Sequence, residues 1–307
     1  MKTHLVALTL ILSALTGLSQ AAESGDEVHS LDHGGLTRSY LLHLPARAPA
    51  GPLPLVVVLH GGAGNAASAA KMTRFDIEAD EHGFIVVYPD GTGKPRPLRE
   101  ALGKDGFLTW NSGHCCDYAQ KHNVDDVGFI RAVVADVEKR HAVDSKRIYA
   151  TGISNGAMMS YRLACEASDL FAAIGPVAGI IDVDDCKPSQ KVSVIDIQGT
   201  KDEYVPMDGG VGKKAYNKED RPPVQQSIDF WRKQDGCSVT VNADTTDLHM
   251  IDYGGCDAGT AVDYYQVQGG GHDWPGGDRL SLILDKPDPK VPATDIIWSF
   301  FAEHPKP

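Results

Sequence analysis

Leu55-Val56-Val57-Val58-Leu59 is an unbroken apolar run, the pattern of a strand covered on both faces, and Phe84-Ile85-Val86-Val87-Tyr88 repeats it up to the stop at Pro89. Between them, positions 68 to 82 carry helical spacing and end at Gly83, so a βαβ unit is predicted. Upstream, Thr37 to Leu44 alternates like an opening strand closed by Pro45, after a polar stretch from 22 to 35 with two adjacent glycines. Downstream, Asp125 to His141 reads as a helix with Val127, Ile130, Val133, Val134 and Val137 on one face. Strands are predicted at Arg147 to Thr151, Val192 to Ile197 and Val262 to Val267, with a further strand starting at Phe171 and a hairpin over Ser238 to Gly255. Helices are predicted at Asn155 to Glu166, Pro223 to Gln234 and Pro292 to Glu303. Strand and helix alternate to the end with no repeat and no long linker, which predicts a single α/β domain with a mostly parallel, doubly wound sheet. One stretch, Asp90 to His122, has no period; a loop that long inside a domain is usually functional.

The N-terminus adds a compartment. Met1-Lys2-Thr3-His4 is a short basic start, Leu5 to Leu18 is apolar, and Ser19-Gln20-Ala21 offers small side chains for a peptidase, so residues 1–21 read as a cleaved secretory signal and 22–307 as the single mature domain. The apolar run is shorter than the roughly 20 residues of a membrane span, so an extracellular or periplasmic protein with no membrane partner is expected. Of 307 residues, 42% are hydrophobic and 23% charged, an ordinary globular balance. The 41 acidic residues outnumber the 29 basic ones, and a formal charge of −12 repels phosphates, which argues against a nucleic-acid partner. Six cysteines in an exported chain point to disulfides. Cys237 with Cys256, and Cys165 with Cys186, are plausible local pairs; a bridge between the neighbours Cys115 and Cys116 would be unusual, the alternative being that each pairs elsewhere or stays free. There is no CxxC or HExxH spacing, no phosphate loop and no G-x-G-x-x-G, so neither a metal nor a nucleotide cofactor is expected.

Gly152-Ile153-Ser154-Asn155-Gly156 matches G-x-S-x-G, with a predicted strand before it and a helix after it. In that context the serine sits on a sharp turn above the sheet edge, and Ser154 becomes the candidate nucleophile. A serine hydroxyl needs a base, and the base an orienting acid, here expected later in the chain in the order acid, then histidine. Asp202 lies where the chain turns out of the strand ending near Gln198, with Glu203 as its nearest rival; Asp196 is inside the strand, and Asp184 and Asp185 lie in a polar loop. His272 follows a strand and the run Gly269-Gly270-Gly271, which would let it swing over the serine; His60, His249 and His304 are less well placed. Gly62 and Asn155 are the expected backbone donors to an oxyanion.

Leu59-His60-Gly61-Gly62, Val124-Asp125-Asp126-Val127-Gly128-Phe129, Tyr149 to Met158, Gly199-Thr200-Lys201-Asp202 and Gly269 to Gly276 together resemble the secreted esterase family that contains polyhydroxybutyrate depolymerase-like proteins and feruloyl esterases, over nearly the whole mature chain. The resemblance implies an α/β-hydrolase fold, a triad of Ser154, Asp202 and His272, and Trp274 and Trp110 lining an acyl pocket. It departs from many members at Gly62, where they carry cysteine. Extracellular depolymerases of solid polyesters commonly add a binding domain, and this chain ends at Pro307, so a feruloyl or related polysaccharide-borne ester is expected. Polyhydroxybutyrate oligomers, short-chain esters and acetylxylan are the alternatives, ahead of a serine peptidase or a non-catalytic binding module. Two indoles beside the nucleophile would favour a flat aromatic acyl group.

Overall fold

Alternate residues of the first unbroken run leave the sheet on opposite sides: Leu55, Val57 and Leu59 join one buried cluster, Val56 and Val58 another, and all are 0% exposed. Each contributes about 1.5–3 kcal/mol by leaving water, which explains why the run tolerates no polar residue. The computed structural model describes residues 25–94, 107–215, 217–280 and 285–307; the expected signal segment 1–21 lies outside them.

In chain order the elements are β1 (Gly25–His33), β2 (Leu36–Leu44), β3 (Leu53–Leu59), α1 (Ala66–Thr73), α2 (Phe75–His82), β4 (Ile85–Pro89), α3 (Asp117–Lys121), α4 (Asp126–Arg140), β5 (Val143–Ile153), α5 (Asn155–Glu166), β6 (Ala173–Val177), β7 (Ser193–Gly199), β8 (Gly210–Val211), β9 (Asp220–Arg221), α6 (Val224–Gln234), β10 (Val239–Asp244), β11 (Leu248–Gly254), β12 (Val262–Val267) and α7 (Ala293–Glu303). A ten-stranded sheet runs β1-β2-β4-β3-β5-β6-β7-β12-β11-β10. Its centre, from β4 to β12, is parallel, and antiparallel strands close both ends. Helices α4, α5 and α6 pack their apolar residues into the cluster on one face, and α1, α2 and α7 into the cluster on the other. This is the α/β architecture expected from the alternation of patterns. Among the described residues no helix is long and apolar enough to cross a membrane.

Three local expectations are corrected. The helix expected over 68 to 82 is two helices, because Arg74 adopts a left-handed conformation (φ 56°) and its N–H closes α1 on the Ala70 carbonyl. The break turns Phe75 fully into the core, against the edges of Phe84 and Trp274. Arginine is a good helix former, so the spacing gave no sign of the break. The polar stretch before residue 36 is β1, paired along its whole length with β2 through a turn at Gly34 and Gly35 with φ of 59° and 78°. A two-glycine turn is the available signal for that hairpin, but an edge strand exposed at most positions has no apolar alternation to announce it. Finally, Cys115 and Cys116 are paired with each other, the bridge held to be unusual, whereas Cys165 with Cys186 and Cys237 with Cys256 pair as expected. The adjacent pair sits in a tight turn in which Ser112 N–H donates to the Cys115 carbonyl (2.7 Å) and Cys116 N–H to that of Trp110 (3.0 Å), a local closure that cysteine spacing cannot reveal.

Candidate active site

The elbow between β5 and α5 is built by steric exclusion. A methyl group on Gly152 would lie 2.6 Å from the Leu59 carbonyl oxygen, and one on Gly156 would lie 2.4 Å from it, so β3 passes too close for any side chain at either position. Between them Ser154 takes φ 58° and ψ −120°, a conformation that costs about 1–3 kcal/mol and persists only where the surroundings impose it. The imposing contacts are Ser154 N–H to the Val177 carbonyl at the end of β6 and Met158 N–H to the Ser154 carbonyl, each 2.9 Å. The serine therefore stands at the carboxyl edge of the parallel strands, over the N-terminus of α5.

The turn after β3 lies alongside. Methyl groups on Gly61 and Gly62 would come within 3.7 Å of the Ser154 Cβ and 3.8 Å of the Asn155 Cβ respectively. His60 holds this turn: its Nδ1–H donates to the Gly61 carbonyl (2.8 Å) and its Nε2 accepts from Gly91 N–H (2.9 Å). Burial pushes this imidazole down to about 4, so it is neutral at working pH and its tautomer is set by the Gly91 amide. The carbonyl it grips shares a peptide plane with the Gly62 N–H, which must point the opposite way. In the sequence His60 merely precedes glycines; its role is visible only once the segment carrying Gly91 packs against it.

At the end of β7, Asp202 receives Tyr204 N–H (2.7 Å) and Val205 N–H (2.9 Å) on one carboxylate oxygen. The other oxygen accepts from His272 Nδ1 at 2.7 Å and from the Gln198 amide at 3.3 Å. Both side chains are buried, and the Tyr204 ring stacks on the imidazole at 4.7 Å. Lys201 N–H donates to the Gly270 carbonyl (2.8 Å), which ties the acid loop to the histidine loop. Glu203, the rival acid, faces away and pairs with Lys214 at 3.0 Å. Next to His272, burial pushes the Asp273 carboxyl up to about 7.

The two indoles are placed differently from the expectation of an acyl-pocket lining. Trp110 and Trp274 are 0% and 1% exposed. Trp110 is a clasp: its indole N–H donates to the His60 carbonyl (2.9 Å), its backbone N–H to Asn155 Oδ1 (2.8 Å), and its carbonyl accepts from Asn155 Nδ2 (3.0 Å). Trp274 donates to Thr294 Oγ1 (3.0 Å) and packs edge-on to Phe75 within the second buried cluster. Neither offers a free ring face, because each is closed in by the elements it joins. The Val124 to Phe129 motif is likewise structural: Asp125 caps α4, and buried Asp126 binds Arg38 (2.7 Å) and the Asn111 N–H (2.7 Å).

A cleft of about 640 Å³, lined by none of Ser154, Asp202 and His272, has Asp182, Asp184, Glu219, Arg221, Ser227 and Phe230 among its walls. It adjoins the elbow through Asn155 Nδ2 to Ser112 Oγ (3.1 Å) and Ser112 Oγ to Asp182 (3.5 Å). Among the described residues no cluster of His, Cys, Asp and Glu is arranged to hold a metal ion.

Residues 38–244 match the model of a protein family described as Esterase PHB depolymerase. The chain belongs to this family. It is 30% identical over 229 residues to feruloyl esterase B of Piromyces equi, a match covering 71% of this chain and 39% of that protein. To a probable feruloyl esterase C of Aspergillus clavatus it is 28% identical over 313 residues, covering 97% and 98%. The acetyl xylan esterase from Aspergillus awamori superposes with a TM-score of 0.61 over 90% of this chain and 99% of that one, at 13% identity, which shows the shared α/β-hydrolase fold. The chain thus spans well under half the length of the Piromyces relative.

Proposed function

We propose that the mature chain is a secreted serine hydrolase of carboxylic esters, with hydroxycinnamoyl or related esters borne on polysaccharides as its substrates. The observation that carries the reading is the buried 2.7 Å pair of His272 Nδ1 and Asp202 on the sheet edge where Ser154 emerges. In this mechanism His272 Nε2 takes the Ser154 proton as Oγ bonds to the ester carbonyl carbon, and the Gly62 and Asn155 amides receive the charge that develops on oxygen. Asp202 stabilises the imidazolium. The proton then passes to the departing alcohol as the carbonyl carbon–oxygen ester bond breaks, leaving an acyl-enzyme. Water, deprotonated by His272, releases the acid and restores the serine.

The substrate reading rests on the names of the relatives and on the cleft. Carboxylates predominate in its walls, so it repels free acids, and it offers acceptors for the hydroxyls of a neutral sugar. Export rests on residues 1–21 and predicts a mature N-terminus near Ala22. A fluorophosphonate ester should label Ser154 alone, and Ser154→Ala should abolish turnover of methyl ferulate, short p-nitrophenyl esters and acetylated xylan. Label on another serine, or wild-type turnover by Ser154→Ala, overturns the assignment.

A further inference from the structure

The pair of Asp202 and His272 joins two loops 70 residues apart, and a hydrogen bond between side chains does not by itself fix where the imidazole's backbone sits. That backbone has its own anchor. The His272 N–H donates to Asp285 Oδ2 at 2.9 Å, and Asp285 Oδ1 accepts from Lys214 Nζ at 3.1 Å. The same ammonium lies 3.0 Å from Glu203, the residue after the orienting acid. Asp285 also presses on the preceding residue: a methyl group on Gly271 would lie 2.5 Å from Oδ2. A side chain at 271 would therefore displace the Asp285 carboxylate, so Gly271 is a packed contact, whereas Gly269 has nothing within 4 Å of where a methyl group would stand. Burial disfavours the Asp285 charge, but the His272 N–H and the Lys214 ammonium outweigh it and hold the carboxyl below its usual range.

We propose that Asp285 is a positioning residue for the catalytic histidine, and that Glu203, Lys214 and Asp285 form an ionic strap tying the histidine loop to the acid loop. The proposal rests on His272 being the base. A general base must stay within hydrogen-bond reach of the hydroxyl it deprotonates, and a displacement of about 1 Å can cost on the order of a hundredfold in rate. The strap acts on where the imidazole stands, so its loss should appear in kcat and leave KM nearly unchanged.

The test uses the full mature chain with a short p-nitrophenyl ester, measuring kcat, KM and Tm. Asp285→Ala should lower kcat about tenfold or more with KM within about twofold. Asp285→Asn, whose amide oxygen can still accept the His272 N–H but whose NH2 then faces the Lys214 ammonium, keeps the histidine bond without the strap and should recover part of that loss. Lys214→Met, a change at a half-exposed side chain that leaves folding intact, should lower kcat several-fold, and adding it to Asp285→Ala should cost nothing more because both break one strap. Asp285→Ala with kcat within about twofold of wild type, or Asn no better than Ala, overturns the proposal, and so does a Lys214→Met loss that simply multiplies with that of Asp285→Ala. If Asp285→Ala does not fold, Lys214→Met decides alone: kcat within about twofold of wild type overturns the proposal. His272→Ala separates the two readings. If it is inactive while Asp285→Ala is fully active, only the strap fails; if it keeps wild-type activity, the histidine assignment itself fails.

Discussion

His60→Leu isolates what a buried neutral histidine contributes to this site. The substitution keeps an apolar side chain against Trp110 but leaves the Gly91 N–H without its acceptor, while the Gly61 carbonyl keeps only its bond from the Gly64 N–H (3.0 Å). The orphaned donor costs about 1–3 kcal/mol and the lost hydrogen bond to Gly61 about 0.5–1.5 more, so the variant should be less stable by roughly 1.5–4.5 kcal/mol near neutral pH. The gap should depend on pH. The folded site holds His60 down at about 4, whereas a histidine of the unfolded chain titrates near the ordinary 6.5. Below that value the unfolded chain takes up a proton that the folded site refuses, so this contribution to wild-type stability is fully present above about pH 6.5 and is lost as the pH falls towards 4. A depression of that size corresponds to on the order of 3 kcal/mol. Urea unfolding of both proteins near pH 7 and near pH 4.5 should therefore show the gap narrowing by most of that amount. Catalysis should suffer separately: with the Gly61–Gly62 peptide held by one bond instead of two, the proposed oxyanion donor at Gly62 loses part of its aim, and kcat for a short p-nitrophenyl ester should fall by about tenfold with little change in KM. A stability gap equal at both pH values, or kcat within about twofold of wild type, would refute the reasoning.

Asp202→Asn should lower kcat by about 10⁴ through loss of the stabilised imidazolium, while Glu203→Gln should stay within about tenfold; steady-state kinetics of the pair decides which acid serves the histidine. Trp274→Ala should cost about 3–5 kcal/mol by thermal unfolding and lower kcat/KM for methyl ferulate and an acetyl ester by the same factor; a loss confined to the aromatic ester would return the indole to the acyl pocket. Replacing Cys237 and Cys256 together with serine should cost about 3 kcal/mol, given a sequence separation of 19, and unfolding with and without reductant should show the difference in the wild type only for its intact bridges.

Apolar runs and helical spacing were enough to place the central strands and the helices α4 to α7 to within a few residues, because those elements are buried on a face whose period the sequence must carry. The elbow was legible for a related reason: its two glycines are demanded by the contact with β3, and a local sterically imposed requirement leaves a local mark. The order of Ser154, Asp202 and His272 along the chain followed from the same architecture, since parallel strands bring successive loops to one edge.

Other features depended on partners distant in sequence. Arg74 breaks a helix because Phe75 has a core to enter, and that core includes Trp274, two hundred positions along the chain. The two tryptophans sit in plausible loops, but the direction in which an indole packs is set by Asn155, His60, Phe75 and Thr294, so an expected substrate platform is instead interior packing. His60 became part of the site only through the Gly91 amide, and Asp285 only through the backbone of His272. Periodicity and short motifs report what each segment requires of its immediate surroundings. Which buried donor meets which acceptor across the sheet edge is fixed by the tertiary fold, because a hydrogen bond between segments far apart in sequence imposes no spacing on either one.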